Sequence, residues 1–391
     1  VLPVLASTAF SKLAAPLLAG LPNITAVVVP VMLVVVTLVI LLTLAIAFAA
    51  IALNALLAAC LYLRLAHREP RPEPPPADAH PGRLAWGVEV GVIIFAISQA
   101  WLMLDRHEIR DNVSVIAHRG SSQVAPENSL SAIRQALSDG ADQIEIDVRL
   151  SADGTPVLSH DASLSRLAGD NRRIAEVNWA ALADVDIGSS FGHAFAGEGL
   201  ASLAEALAAV RGRAGLVIEL KPDQGNEADL LAAVMTTLVE ERDVRRTCRD
   251  AAVDALARIQ CGDPRIFKDT WLATLSYRQL VRIDEQAPQA RTLLLAEWSL
   301  PGGLPRHRFN ALGLRHTRID ESERRRAKHY GDTLYAWTVN DPDRMARLID
   351  LGVDGIITDR PERLRAILRE RSQLGDGALL LLKLRHWLAD S

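Results

Sequence analysis

Two segments of the sequence carry charged side chains at every second position, between aliphatic residues. In QIEIDVRL these are Glu145 and Asp147, and in VIELK Glu219 is followed by Lys221 at the same spacing. Side chains two residues apart share one face of a strand, so each segment predicts a strand with one charged face. A solvated edge strand, or a structural ion pair between Glu219 and Lys221, would also account for such patterns.

Three carboxylates on neighbouring strands repel one another unless a cation joins them. Glu145, Asp147 and Glu219 therefore predict an oxygen-ligand site for a divalent cation, Ca²⁺ or Mg²⁺. The sequence has no histidine-rich cluster of the kind that would favour zinc.

Two histidines follow strand-like segments and could exchange protons with a substrate. His118 and Arg119 end the apolar run VIA, and the segment VLSHD supplies His160 and Asp161. Two rings beside a cation suit phosphodiester cleavage, because one can take a proton from the nucleophile while the other protonates the leaving oxygen. The cation and Arg119 would offset charge on the phosphoryl oxygens. Either histidine alone would more readily be structural, but the whole set in this order favours catalysis.

The elements that must position these residues alternate from residue 112 onward. Helical patterns include NSLSAIRQALSDG, capped by Asn128 or Ser129, and NDPDRMARLIDLG, capped by Asp341. Strand-like segments lie at 113–118, 143–150, 215–221, 270–276, 291–297, 310–316, 333–339 and 354–359. Eight strands alternating with helices over about 250 residues predict an α/β fold, the (β/α)8 TIM barrel, whose functional residues lie at the carboxyl ends of the strands.

The first part of the chain is expected to lie in a membrane rather than in water. Lys12 is the only charged residue in 1–63, which predicts a membrane span at about 31–62. This segment must tilt, protrude from a bilayer core of about 30 Å or cross it a second time, and the lack of turn residues favours one long tilted helix over a tight hairpin. A proline-rich linker, 68–83, and a second span, 84–104, follow. Arginines between the spans favour a cytoplasmic loop, and therefore a multi-pass cell-membrane protein whose catalytic domain is extracytoplasmic. The lipid bilayer is thus an expected partner.

Charge and cysteine content bear on the possible partners and on the redox compartment of the protein. The net charge is −4 at pH 7, so no bulk basic signal points to nucleic acid as a partner. Three cysteines form no metal pattern, and Cys248 and Cys261 are interpreted as free thiols, although an oxidising compartment would allow a disulfide. Because the sequence begins with Val1, we expect it to start inside a longer protein.

Five segments in this order resemble the glycerophosphodiester phosphodiesterase family: AHRGSSQVAPENS, GADQIEIDVRLSADGTPVLSHD, IELK, YAWTVND and GVDGIITDRPERL. The resemblance covers about residues 112 to 368, and the hydrophobic front end resembles the membrane-anchored bacterial type. It implies a TIM barrel that hydrolyses glycerophosphodiesters to an alcohol and glycerol 3-phosphate. It also implies that the substrate's own glycerol hydroxyl attacks phosphorus, and that water opens the resulting cyclic phosphate.

The resemblance also implies roles for individual residues. His118 and His160 are the acid–base pair, and the divalent cation is held by Glu145, Asp147 and Glu219. Arg119 contacts phosphate, with Lys221 close to it. Glu127 is expected to orient Arg119 or a histidine. Trp337 is expected either to form an apolar wall for substrate or to pack in the barrel.

Three regions are therefore expected: a membrane region at 1–105, the TIM barrel at 112–370, and a C-terminal tail at 371–391. The tail would form an amphipathic helix at the membrane or pack on the barrel. Two other functions fit the sequence. A lysophospholipase D-type enzyme would need an apolar groove, which residues 188–200 could line. A non-catalytic membrane-tethered barrel would be expected to have lost a histidine or an acidic ligand, and all five are present.

Overall fold

The computed structural model describes residues 25–65, 90, 91, 94, 111–223, 225–297, 308–374, 379, 382 and 383. The chain forms two compact units, and Asp111–Gln373 is one of them. The other unit contains the N-terminal helix α1 (Thr25–Leu65).

Helix α1 is apolar over most of its 41 residues. Within it Thr37–Leu65 contains an 18-residue window with a mean hydropathy of 2.6 and no buried share, so the segment is long and apolar enough to cross a membrane. A signal sequence would meet the same criteria of length and composition. The helix covers the span expected at 31–62. The expected linker at 68–83 lies outside the described residues, as does the expected span at 84–104 apart from three helical positions.

The unit Asp111–Gln373 is a closed barrel. Its strands are β1 (Ser114–His118), β2 (Gln143–Leu150), β3 (Pro156–Leu158), β4 (Gly215–Leu220), β5 (Thr270–Thr274), β6 (Arg291–Ala296), β7 (Ala311–Arg315), β8 (Thr333–Trp337) and β9 (Gly355–Thr358). Eight are parallel, in the order β1-β9-β8-β7-β6-β5-β4-β2, and pairing of β1 with β2 closes the barrel. The short β3 pairs antiparallel with β2. The predicted TIM barrel is confirmed.

Helices follow the strands and form the outer layer. They are α2 (Leu130–Ser138), α3 (Ser165–Ala168), α4 (Trp179–Leu182), α5 (Leu203–Val210), α6 (Glu227–Ala251), α7 (Ala255–Gln260), α8 (Tyr277–Gln286), α9 (Glu321–Tyr330), α10 (Pro342–Leu351) and α11 (Pro361–Ser372). Of the two caps considered for α2, Ser129 is the one observed, since its side chain accepts a hydrogen bond from the Ala132 amide. Asp341 caps α10 as expected. Helix α11 enters the expected tail, most of which lies outside the described residues.

Two apolar layers fix which side chains face the barrel axis. Outward residues of the strands, such as Ile144 and Ile146, pack in the large core beneath the helices. Inward residues form a second cluster inside the barrel: Ile116, Val217, Trp271, Ala273, Leu293, Leu295, Ala311, Tyr335 and Ile357. Because side chains alternate along a strand, the next inward positions lie at the carboxyl ends of the strands, where the polar residues are.

Cys248 and Cys261 form a disulfide, so the interpretation of two free thiols is wrong. Helix α6 ends just beyond Cys248, and α7 folds back so that the two Cα atoms are 5.6 Å apart, a separation suited to a disulfide. Spacing along the sequence could not reveal this return of the chain. On the same helix, the fully buried Arg245 pairs with Glu241 and Asp269.

Candidate active site

Three buried carboxylates meet at the carboxyl ends of β2 and β4. Glu145 and Asp147 point inward from β2, and Asp147 is the register partner of Glu219 on β4. One oxygen of each lies within 4.8 Å of the others. Buried oxygen ligands at this separation suit a hard divalent cation, so these three residues could hold one.

The charges of this cluster are not balanced by the protein alone. Burial, and then repulsion from Asp147, raise the pKa of Glu145 to about 8, and the same two causes raise the pKa of Glu219. The pKa of Asp147 is lowered despite its burial, since Arg119 Nε lies 3.2 Å away and Lys221 Nζ 3.4 Å away. Lys221 also lies 2.8 Å from Glu219. A bound cation would favour the ionised form of all three carboxylates.

His118 ends β1 and is held by a carboxylate from the last strand. Its Nδ1 lies 2.6 Å from Asp359 Oδ1. Burial acts to lower the pKa of His118, but the hydrogen bond with Asp359 and the charge of Glu145 raise it above its usual value. The Asp359 carboxylate, which also accepts hydrogen bonds from Asn340 and Ser122, has its pKa lowered to about 2 although burial opposes this.

Sequence reasoning missed Asp359 and Asn340 as site residues. Asp359 directly follows β9 in the segment IITD, and Asn340 comes three residues after the end of β8 in YAWTVN, which is the available signal. Only closure of the barrel brings the end of β9 beside the end of β1. A carboxylate on Nδ1 fixes one tautomer of His118 and leaves Nε2 for proton transfer.

His160 follows β3, where the chain returns along β2. Its Nδ1 lies 2.8 Å from Asp161 Oδ1. The guanidinium of Arg149 donates two hydrogen bonds to the His160 carbonyl, at 3.0 and 2.8 Å, and one to the Lys221 carbonyl at 3.2 Å. Arg149 therefore ties the His160 loop to the end of β4. Its inward position on β2, two residues after Asp147, was the signal that could have identified it.

The turn after β1 positions two of the carboxylates. Arg119 and Asn128 adopt left-handed backbone conformations, with φ of 55° and 56°. Gly120 has φ 81°, and a Cβ there would lie 2.6 Å from atoms of α2, so the turn requires glycine. The Arg119 amide donates to Glu145 at 2.9 Å, and the Asn128 side chain donates to Asp147 at 2.9 Å. Asn128, considered from sequence only as a helix cap, thus orients a candidate cation ligand.

An arginine that sequence reasoning missed connects the two histidine regions. Arg166 on α3 donates to Glu127 at 2.8 and 2.6 Å and to Asp161 at 2.6 Å. Glu127 also accepts a hydrogen bond from Arg119 Nη1 at 2.9 Å, and Asp161 contacts His160. We call this series, from Arg119 through Glu127, Arg166 and Asp161 to His160, the arginine bridge. The spacing of Arg166 along the sequence gave no signal.

Apolar surface at the carboxyl ends comes from Trp337. This half-buried residue packs against the inner cluster, and its Nε1 donates to the Gly313 carbonyl at 3.0 Å. A Cβ on Gly313 would lie 2.6 Å from Leu295 and 3.4 Å from the indole. In the segment 188–200, Phe191 contacts Phe195 edge to face at 5.4 Å and remains exposed.

Comparison with known proteins gives consistent results. A model of the glycerophosphoryl diester phosphodiesterase family matches residues 118–363. The glycerophosphodiester phosphodiesterase of Caldanaerobacter subterraneus subsp. tengcongensis is 30% identical over 266 residues, which are 66% of this chain and 98% of the relative. The putative glycerophosphodiester phosphodiesterase YhdW of Bacillus subtilis is 28% identical over 257 residues, which are 63% of this chain and 95% of the relative.

Two solved phosphodiesterase structures are similar to this chain. An Oleispira antarctica phosphodiesterase in complex with the product sn-glycerol-3-phosphate has a TM-score of 0.57 and 28% identity, covering 66% of this chain and 96% of that one. A putative glycerophosphoryl diester phosphodiesterase from Silicibacter pomeroyi has a TM-score of 0.56 and 26% identity, and the match covers 68% of this chain and 96% of that one.

Proposed function

The chain belongs to the glycerophosphoryl diester phosphodiesterase family, and on this basis we propose that it hydrolyses glycerophosphodiesters to glycerol 3-phosphate and an alcohol. The observation that carries the proposal is the carboxylate cluster Glu145–Asp147–Glu219 at the carboxyl ends of the strands, together with two histidines that each contact an aspartate. The product bound by the Oleispira antarctica phosphodiesterase, sn-glycerol-3-phosphate, supports this substrate class.

His118 and His160 are the proposed acid–base pair. One ring accepts the proton of the substrate's glycerol hydroxyl as that oxygen bonds to phosphorus, and the other ring protonates the alcohol oxygen as its bond to phosphorus breaks. Water then opens the cyclic phosphate with the two proton transfers reversed, so both rings return to their starting states. Asp359 supports these transfers by stabilising the protonated ring of His118 through Nδ1, and Asp161 orients the ring of His160 through the same nitrogen.

The three carboxylates are the proposed ligands of a divalent cation, Ca²⁺ or Mg²⁺. When bound, such a cation acts as a Lewis acid on the phosphoryl oxygens. Arg119 is proposed to contact the phosphate, with Glu127 holding its guanidinium from the other side. Lys221 contributes a second positive charge at the same place, and Trp337 an apolar wall for the substrate.

We further propose that α1 anchors the protein in the cell membrane with the barrel on the extracytoplasmic side. The apolar segment Thr37–Leu65 supports the anchor, and the Cys248–Cys261 disulfide supports an oxidising compartment. Cells lysed in the presence of an alkylating reagent, without reductant, are expected to yield the two cysteine peptides linked. Recovery of both thiols alkylated would contradict the extracytoplasmic location.

The activity is tested with the full chain in detergent micelles, by glycerol 3-phosphate release from glycerophosphocholine with Ca²⁺, with Mg²⁺ and with a chelator. Cation-dependent release, lost in His118→Ala and Glu145→Ala, is expected. His329→Ala on α9 and Glu240→Ala on α6 are matched controls, because both side chains are exposed on outer helices. Folded protein that releases no glycerol 3-phosphate with either cation would overturn the proposal. Release of the head-group alcohol from lysophospholipid alone would instead identify a lysophospholipase D-type enzyme.

A further inference from the structure

Arg315 occupies an inward position at the end of β7. Ala311 on this strand belongs to the inner cluster, whereas Leu312 and Leu314 pack in the outer core. By alternation, Arg315 faces the barrel axis at the carboxyl end of the strand. Its register partner is Trp337 on β8. The two side chains therefore lie on the same face of neighbouring strands, where cross-strand pairs interact.

Arg315 is exposed and has no carboxylate partner within 4.0 Å among the residues that the structure describes. The other arginines of the active site are engaged, Arg119 by Glu127 and Arg149 by the His160 carbonyl. Gly313 lies two residues before Arg315 and offers no side chain, so the Trp337 indole covers this part of β7 and bonds the Gly313 carbonyl. Among the described residues, the Arg315 guanidinium is thus left without a carboxylate partner on the strand face that also carries Trp337.

A second arginine, Arg344, lies near the end of β7, where its guanidinium donates to the His316 and Ile319 carbonyls. The pKa of the next residue, His316, is lowered by burial and then by the charges of Arg344 and Arg315, against an opposing effect of Asp341. Glu297 follows β6 and is exposed, but it does not come within ion-pair distance of Arg315 in the described part of the chain. An anionic group would be attracted to this position.

The position of β7 decides which part of a substrate reaches it. In the strand order, β7 is three strands from β1, which carries His118, and three from β4, which carries Glu219 and Lys221. With strands about 4.8 Å apart, Arg315 faces the cation cluster across the opening rather than touching the phosphate held there. A substrate group bound at Arg315 therefore lies across the barrel opening from the reacting phosphorus.

We propose that Arg315 and Trp337 form the subsite for the leaving alcohol, and that Arg315 selects head groups that carry a carboxylate or another anionic group. This inference rests on the proposed hydrolysis of glycerophosphodiesters. Arginine suits the task because its planar fork binds a carboxylate through two parallel hydrogen bonds. The indole beside it packs against the aliphatic part of the same head group.

The test uses two substrates that differ by one carboxylate, glycerophosphoserine and glycerophosphoethanolamine. Their kcat/KM values are measured with the full chain in detergent micelles, for the unmodified protein, Arg315→Gln and Arg315→Lys. The unmodified protein is expected to prefer the serine diester, and Arg315→Gln to lower the serine-to-ethanolamine ratio about tenfold, as for loss of one charge-assisted hydrogen bond. Arg315→Lys retains the charge without the fork, so an intermediate ratio is expected.

Arg325→Gln is the matched control, since Arg325 is an exposed arginine on α9 whose ion pair with Glu321 lies within that helix. It is expected to leave the ratio unchanged. Hydrolysis of both diesters with a ratio that Arg315→Gln does not alter would overturn the subsite alone. Hydrolysis of neither diester, with glycerophosphocholine still hydrolysed, would also overturn the subsite alone, whereas hydrolysis of none of the three would overturn the proposed function and the subsite with it.

Discussion

Asp359 Oδ1 lies 2.6 Å from His118 Nδ1, although the two residues are 241 positions apart. This contact crosses the seam at which the last strand of the barrel pairs with the first. It fixes the ring of His118, raises its pKa, and leaves Nε2 as the nitrogen for proton transfer.

Replacing Asp359 with Asn is expected to lower kcat by about 100-fold while KM changes little, because general acid–base catalysis contributes 10²–10⁴-fold and needs a correctly oriented ring. The neutral amide would also no longer stabilise the protonated ring. Steady-state kinetics on glycerophosphocholine measure this effect. Asp343→Asn, an exposed aspartate in the first turn of α10, is the control and should retain activity. Equal kcat in both variants would contradict a positioning role for Asp359.

Cation affinity is expected to rise with pH. Because the pKa of Glu145 is raised to about 8, its carboxyl group is protonated at lower pH and must release the proton when a cation binds. Affinity for Ca²⁺ or Mg²⁺ should therefore increase by up to about tenfold per pH unit below 8 and level off above it. Calorimetric titrations at pH 6, 7 and 9 measure this. A dissociation constant independent of pH, or binding without proton release, would count against Glu145 as a ligand.

Arg166→Gln is expected to lower kcat by about tenfold, since it removes the link between Glu127 and Asp161 in the arginine bridge. Arg172→Gln is a close control, because the side chains of Arg166 and Arg172 are 48% and 49% exposed and Arg172 pairs with the nearby Asp170. Both substitutions should change the free energy of unfolding by less than about 1 kcal/mol, as exposed ion pairs contribute little.

The kinetic difference between these two variants is the decisive measurement for the arginine bridge. Arg166→Lys keeps one charge and should recover part of the lost kcat. If Arg166→Gln and Arg172→Gln have the same kcat, the bridge does not position the histidine regions.

Removal of the disulfide is expected to cost stability without changing catalysis. Cys248→Ser opens a loop closed over 13 positions, so the free energy of unfolding should fall by about 3 kcal/mol. The disulfide lies beside the residues that precede β4, at the opposite end of that strand from Glu219, so kcat should be retained. Denaturant unfolding with and without reductant measures the loss, and Cys60→Ser, which removes an unpaired thiol, is the control. An unchanged unfolding midpoint would show that the disulfide does not stabilise the native state.

Much of the candidate site follows from local rules that the sequence carries. Alternation along a strand is a property of two or three residues, so Glu145, Asp147 and Glu219 could be assigned to inward faces before any fold was known. Turn and cap residues could also be assigned from local sequence, as for Gly120, which is needed for close approach of the turn to α2. Eight strand patterns separated by helices were sufficient to predict the barrel.

What the sequence could not provide are contacts between segments that only the closed barrel brings together. Asp359 reaches His118 because β9 pairs with β1, and Arg166 joins Glu127 to Asp161 because β3 folds back along β2. Pairing of Cys248 with Cys261 depends on the return of α7 along α6. Side-chain direction within one strand is set by local backbone geometry, which sequence patterns record. Proximity between distant segments, and the pKa values that burial and neighbouring charges produce, exist only after the whole chain has packed.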